Sequence, residues 1–131
     1  MKKIELKEYP LSTELIKEWY IEKMLESFKD KTVPEEFKQM MLDQGVEIDK
    51  IETLININPH SLFEFFDEKE IYIFIHYMET KKGVEFFYSI KNMDINPVVL
   101  DKTRREAELF GVSTALDIYE NKLKLIEFPV L

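Results

Sequence analysis

The chain has 131 residues, of which 45% are hydrophobic and 34% charged, with a formal net charge of -8 and no cysteine. That length and balance fit a single domain able to bury about two-thirds of its unfolded surface without help from a metal or disulfide. The missing cysteine excludes disulfides, thiolate metal sites, iron–sulfur clusters and cysteine nucleophiles, and the acidity disfavours binding to duplex DNA or RNA, whose phosphates attract basic surfaces.

Lys2 and Lys3 are not followed by an apolar run, so no secretory signal is expected. The longest central apolar block, residues 71–75, is far too short for a membrane span. The expected location is the cytoplasm. Arg104 and Arg105 are the only arginines among 18 basic residues, a lysine bias that points to an AT-rich bacterial or phage genome.

Residues 3–7 alternate, with Ile4 and Leu6 on one face, and predict a short strand that ends at Pro10. Ser12 or Thr13 then caps a helix to about Phe28, with Leu15, Ile16, Trp19, Tyr20, Met24 and Phe28 as its apolar face. Pro34 opens a second helix that buries Phe37, Met40 and Met41 and runs from Pro34 to about Gln44, stopping at Gly45. Ile51, Thr53, Ile55 and Ile57 alternate and predict a strand ended by Asn58-Pro59. Residues 61–66 fit a short helix with Ser61 and Glu64 as a capping box, or a strand through Phe63 and Phe65; the strand is preferred slightly.

The clearest element is an antiparallel hairpin, residues 71–78 and 84–91, joined through Thr80-Lys81-Lys82-Gly83 with the glycine left-handed. Val84, Phe86, Tyr88 and Ile90 form one apolar face of the second strand. The first strand is apolar on both faces, Ile71, Ile73, Ile75 and Tyr77 on one and Tyr72, Phe74, His76 and Met78 on the other. The register stays open, because a slip of one residue exchanges the faces. Asp101 is expected to cap a helix through Phe110, ended by Gly111; residues 112–121 continue as a second helical piece capped by Ser113. Residues 122–128 read as a last strand. The expected fold is therefore α+β in a single domain, 1–131: an antiparallel sheet of four to five strands with a central hairpin, two N-terminal helices and one C-terminal helical region.

This order, from Lys3 to Phe128, resembles a truncated N-acetyltransferase of the GNAT class in its sequence of elements alone. The resemblance implies an acyl-CoA pyrophosphate loop after the hairpin, and residues 92–111 do not contain the family's motif. A relative of that kind would be a degenerate enzyme unable to hold the cofactor normally, and no site residue is carried over.

Two surfaces are candidates for binding. Glu14, Glu18, Glu22 and Glu26 lie at successive i, i+4 positions of the first helix, where like charges cost about 0.2–0.5 kcal/mol per pair. They form either an acidic stripe for a basic partner or a solvated face relieved by Lys17, Lys23 and Lys29. The second surface is the hairpin face of Tyr72, Phe74, His76 and Met78, either covered by the protein's own elements or used to dock a partner or a second copy. Arg104 and Arg105 can bind a carboxylate or phosphate of a partner, or pair with Glu106, Glu108 or a sheet carboxylate.

Signals for chemistry are weak. His60 and His76 lack metal-ligand spacing and read as structural. Asp67-Glu68-Lys69-Glu70 and Glu47-Ile48-Asp49 read as solvated turns in preference to metal-binding or catalytic carboxylates. Gly45, Gly83 and Gly111 cannot build a phosphate loop, and there is no nucleophile elbow. The expectation is a non-catalytic intracellular protein-interaction module without cofactor or metal, of the kind that includes small acidic inhibitors, immunity proteins and phage-encoded proteins. Its partner would be another protein with a basic surface. The alternatives are a degenerate GNAT-like enzyme and a structural subunit or homodimer.

Overall fold

The computed structural model describes residues 2–27, 29, 34–44, 47–91, 101 and 103–127. In chain order the elements are α1 (Pro10–Ser27), α2 (Glu35–Gln44), α3 (Ile48–Ile57), α4 (Phe63–Glu68), β1 (Ile73–Thr80), β2 (Gly83–Ile90) and α5 (Arg104–Glu127), with 3-10 turns at Leu6–Glu8 and Pro59–Leu62. The mixture is α+β, but among the described residues the sheet has two strands where four to five were expected.

Helix replaces strand at three of the predicted positions. Ile51 and Ile55 are buried in α3, while Thr53 and Ile57 of the same alternating set are exposed. Spacings of four residues belong to both the period of two and the period of 3.6, and only burial separates them. Residues 63–68 form α4, whose Phe65 and Phe66 are both buried; a strand would have sent them to opposite faces. Residues 122–127 continue α5, with Leu125 and Ile126 exposed on its last turns. Phe128 lies outside the described residues.

The predicted first strand is an extended segment and a 3-10 turn held by side chains of α3. Asn56 Oδ1 accepts the Ile4 N–H at 2.8 Å and Asn56 Nδ2 donates to the Ile4 carbonyl at 3.0 Å. Glu52 Oε1 accepts the Leu6 N–H at 2.8 Å. Ile4 and Leu6 thus reach the core, as their alternation implied, without a neighbouring strand. With an extended segment and a 3-10 turn in place of the first strand and helix in place of the last, the strand order on which the GNAT resemblance rested is absent from the described residues.

Around α5 the other elements assemble. Its 24 residues extend about 36 Å at about 1.5 Å per residue, and α1, the hairpin and the 3-10 turn at Pro59–Leu62 pack along it. Ala107, Leu109, Val112, Ala115, Leu116 and Tyr119 are buried there. Gly111 lies inside the helix rather than at its end: a Cβ at this position would sit 2.8 Å from Ile73 Cγ2 and 3.4 Å from Tyr88 Cβ. The glycine lets α5 press onto the hairpin. Asp101 is not the helix cap. Thr103 Oγ1 accepts the Glu106 N–H at 3.2 Å, with helix starting at Arg104, and Asp101 instead forms a backbone bridge to Phe86.

α1 matches its expected span, and Ile16 and Trp19 are buried on the anticipated face. Its expected caps, Ser12 and Thr13, lie inside the helix, which starts at Pro10. α2 also matches its span, but Phe37 and Met40 are half exposed where burial was expected; the Met41 side chain and Gly45 lie outside the description. Edge-to-face rings complete the core: Phe65 stands 5.8 Å from Trp19, 5.3 Å from Phe66 and 5.7 Å from Tyr119 between centroids.

Candidate functional site

The hairpin register is now fixed, with Ile73 opposite Ile90 and Thr80 opposite Gly83 around a two-residue Lys81-Lys82 loop. Gly83 has φ +108°, the left-handed conformation expected for it. Thr80 Oγ1 donates to the Gly83 carbonyl at 3.1 Å and accepts the Lys82 N–H at 3.2 Å, tying the loop down. Ile73, Ile75, Tyr88 and Ile90 belong to the core or pack against it, and the Tyr88 hydroxyl meets Thr114 Oγ1 of α5 at 2.8 Å.

The opposite face is open. Tyr72, Phe74 and Met78 are 37%, 47% and 44% exposed. His76 is exposed too; its Nε2 meets Ser89 Oγ at 2.7 Å, and its ring stacks on Phe87 at 4.9 Å and 21°. Lys91 Nζ lies 5.8 Å from the Tyr72 ring centroid. These contacts order the face as a band of rings with a cation at one end. Near the loop the inner face is uncovered as well, since Tyr77 is 72% and Val84 48% exposed. The hairpin therefore extends past its packing on α5.

Beside β1 runs a groove of about 530 Å³ lined by His60, Ser61, Phe63, Glu64, Asp67, Tyr72, Ile73 and Phe74. Three aromatic rings and two carboxylates are among its lining groups. A second groove of about 380 Å³, between the N-terminal segment, α1 and α3, mixes charges of both signs: Lys3, Lys7, Glu5, Glu14, Asp49 and Glu52.

All four glutamates of the α1 stripe are exposed. Glu14 lines the second groove. At the other end Glu26 meets Lys23 at 3.8 Å, while Lys23 makes a shorter bond, 2.8 Å, to Glu64, which lines the hairpin groove. That hydrogen bond and the Glu64 charge raise the Lys23 pKa above its ordinary value, despite a smaller opposing effect of desolvation. The two expected surfaces are thus linked at Lys23.

Both arginines are exposed and each has a partner within the fold. Arg105 donates to the Asn56 carbonyl from Nη2 at 2.7 Å and from Nε at 3.2 Å, closing the end of α3. Arg104 Nε lies 3.5 Å from Glu108, and His60 Nδ1 lies 3.8 Å from the other oxygen of that carboxylate. The sequence leaves open which face of the first strand meets the core; in the structure Tyr77, on the face of Ile73 and Ile75, is nevertheless 72% exposed, and Phe63 and Phe87 are partly exposed.

Among the described residues no group of three His, Asp or Glu side chains could hold a metal ion, and no helix is long and apolar enough to cross a membrane. No family model, curated protein or solved structure in the comparisons matches the chain.

Proposed function

We propose that this protein is a non-catalytic interaction module of the cytoplasm that docks another protein through the outer face of its hairpin. The supporting observation is the alignment of Phe74 and Met78 of β1, and of Tyr72 just before it, all more than a third exposed, beside Phe87. An exposed apolar surface of this kind stays in water at a cost, and burying its rings against a partner recovers about 25 cal/mol for each Å² covered. The α1 stripe adds long-range attraction for a basic partner and steers its approach. Arg104 and Arg105 each have a partner within the fold but stay exposed, and they remain candidates for a partner's carboxylate or phosphate.

Affinity capture from the native host tests this with three baits: wild type, Phe74→Glu with Met78→Glu, and Glu18→Lys with Glu22→Lys. A protein held by wild type, lost with the hairpin variant and weakened by salt or the α1 variant supports the proposal. The same protein held equally by all three baits sinks it.

A further inference from the structure

We infer that the groove beside β1 holds an arginine side chain of the partner protein, whose following apolar residues run onto the outer face of the hairpin. This rests on the interaction-module reading and deepens it by assigning the chemistry of the segment that docks.

Two elements line up the groups of the groove. On α4, Asp67 follows Phe63 by four residues and Glu64 by three, spacings that share one face of a helix. Tyr72, just before β1, and Phe74 lie two apart and so on one side of the strand. The groove they line has a volume of about 530 Å³, with no lysine or arginine among its described lining groups. Sites that hold small ligands span about 300–1,000 Å³, so an arginine side chain with its backbone fits.

Charge decides the occupant. Asp67 is exposed, and among the described residues its carboxylate has no hydrogen bond or ion pair. Glu64 has one cation, Lys23, at 2.8 Å, and the charges of Glu26 and Glu68 act on the same lysine. One ammonium thus answers three carboxylates beside the groove, before Asp67 is counted. A wholly apolar segment laid over the groove would strip water from these charges and put nothing in its place. An acidic segment would add repulsion. A cation satisfies the carboxylates, and aromatic walls favour one whose flat, weakly hydrated plane stacks on a ring, as guanidinium does. Lys91 already lies over Tyr72 at 5.8 Å, which leaves Phe63 and Phe74 to receive it. Lys69 lies over Phe65, a ring outside the groove.

The second groove lacks this combination. Its carboxylates share the lining with Lys3 and Lys7, and no aromatic ring is among its described lining residues. Tyr72 and Phe74, by contrast, belong both to the hairpin groove and to the outer face. A chain leaving the groove therefore continues over Met78 and Phe87, and apolar residues after the arginine suit that path.

Titration of the isotope-labelled whole chain with a blocked peptide, in which arginine precedes two leucines, tests this through amide chemical shifts. Saturable shifts are expected at residues 60–67 and 72–74. Citrulline in place of the arginine keeps the shape and loses the charge, and should weaken binding about tenfold; so should Asp67→Asn. Lysine in its place should bind less tightly than arginine. Lys23→Met frees Glu64 and should tighten binding. Glu8→Gln makes the same change of charge as Asp67→Asn away from the groove and should leave affinity unaltered. Shifts confined to other surfaces overturn the inference, as does no binding at millimolar peptide. Equal affinity for the citrulline or lysine peptide overturns it too, and so does an equal loss in Asp67→Asn and Glu8→Gln. A host protein captured through Phe74 and Met78 but held equally by Asp67→Asn defeats the arginine groove alone. Asp67-dependent peptide binding, with host capture that ignores Phe74 and Met78, defeats docking on the hairpin face alone.

Discussion

The Glu120 carboxylate of α5 accepts the Ser12 N–H of α1 at 2.8 Å, joining residues 108 apart in the chain. Its second oxygen accepts the Leu11 N–H at 3.2 Å. The first turn of a helix has backbone donors without intrahelical partners and a partial positive charge. Here a carboxylate from another helix supplies what a cap residue normally supplies. Glu120 is 3% exposed, so water cannot substitute readily when it is removed. Glu120→Ala should cost about 2–4 kcal/mol, from two bonds to a charged acceptor, and Glu120→Gln about half as much. Urea denaturation followed by circular dichroism measures both. A loss below about 0.5 kcal/mol for the alanine variant would show that the α1 terminus finds other partners.

Gly111 carries the contact between α5 and the sheet. Alanine normally stabilises a helix interior by about 1 kcal/mol relative to glycine. At this site its Cβ would lie 2.8 Å from Ile73 Cγ2, a methyl on a β-branched side chain with little freedom to turn away. Gly111→Ala should therefore destabilise the protein, by about 1–3 kcal/mol. In an Ile73→Ala background the methyl is gone, and the same substitution should become neutral or stabilising. A double-mutant cycle by denaturant titration reads the coupling directly. Additive effects would mean that α5 shifts to make room.

The difference between local and tertiary causes explains what was legible in the sequence. The hairpin could be read because its turn chemistry, glycine and alternation are contained in about twenty residues. α1 and α2 could be read from helical spacing. The candidate face of Tyr72, Phe74, His76 and Met78 was visible as a second apolar side, but its exposure depends on where α5 packs. α3 differs from the predicted strand because Ile51 and Ile55 satisfy both periodicities. The capping sequence Thr103-Arg104-Arg105-Glu106 is a local signal that competes with Asp101, and the structure uses Thr103. No local signal announced the role of Glu120, Asn56 or Gly111, since each acts on a segment distant in sequence.

Asn56 offers a third test. Its amide pairs with both backbone groups of Ile4, as a neighbouring strand would, and its own carbonyl accepts from Arg105. Asn56→Asp keeps an acceptor for the Ile4 N–H and turns the donor to the Ile4 carbonyl into a second acceptor. The segment should loosen locally without global unfolding. Hydrogen exchange at the Ile4 and Leu6 amides should accelerate, by about tenfold for each 1.4 kcal/mol lost, while the α5 core amides keep their protection. Equal acceleration in α5 would show that the N-terminal segment and the core open together.

Asp101 makes stability depend on pH. Its side chain is buried, and among the described residues Oδ2 has no hydrogen-bond partner. Burial raises the carboxyl pKa above its ordinary value, and the Glu106 charge adds to the shift. The folded protein thus holds this proton more tightly than the unfolded chain does. Below the unfolded pKa both states are protonated and the contribution to stability is complete. As pH rises through the folded pKa the proton leaves, and the folded state then carries a buried charge that the unfolded state solvates. Stability should fall over that window. Asp101→Asn keeps the shape and removes the titration. The stability of the asparagine variant relative to wild type should therefore rise as pH climbs above the ordinary Asp value of 3.8 and level off above the raised folded pKa. Urea titrations of both proteins across that range give the difference at each pH, cancelling the other carboxylates. A difference that stays flat would show that Asp101 is solvated in the folded state, and one that falls would show a cationic partner for its carboxylate.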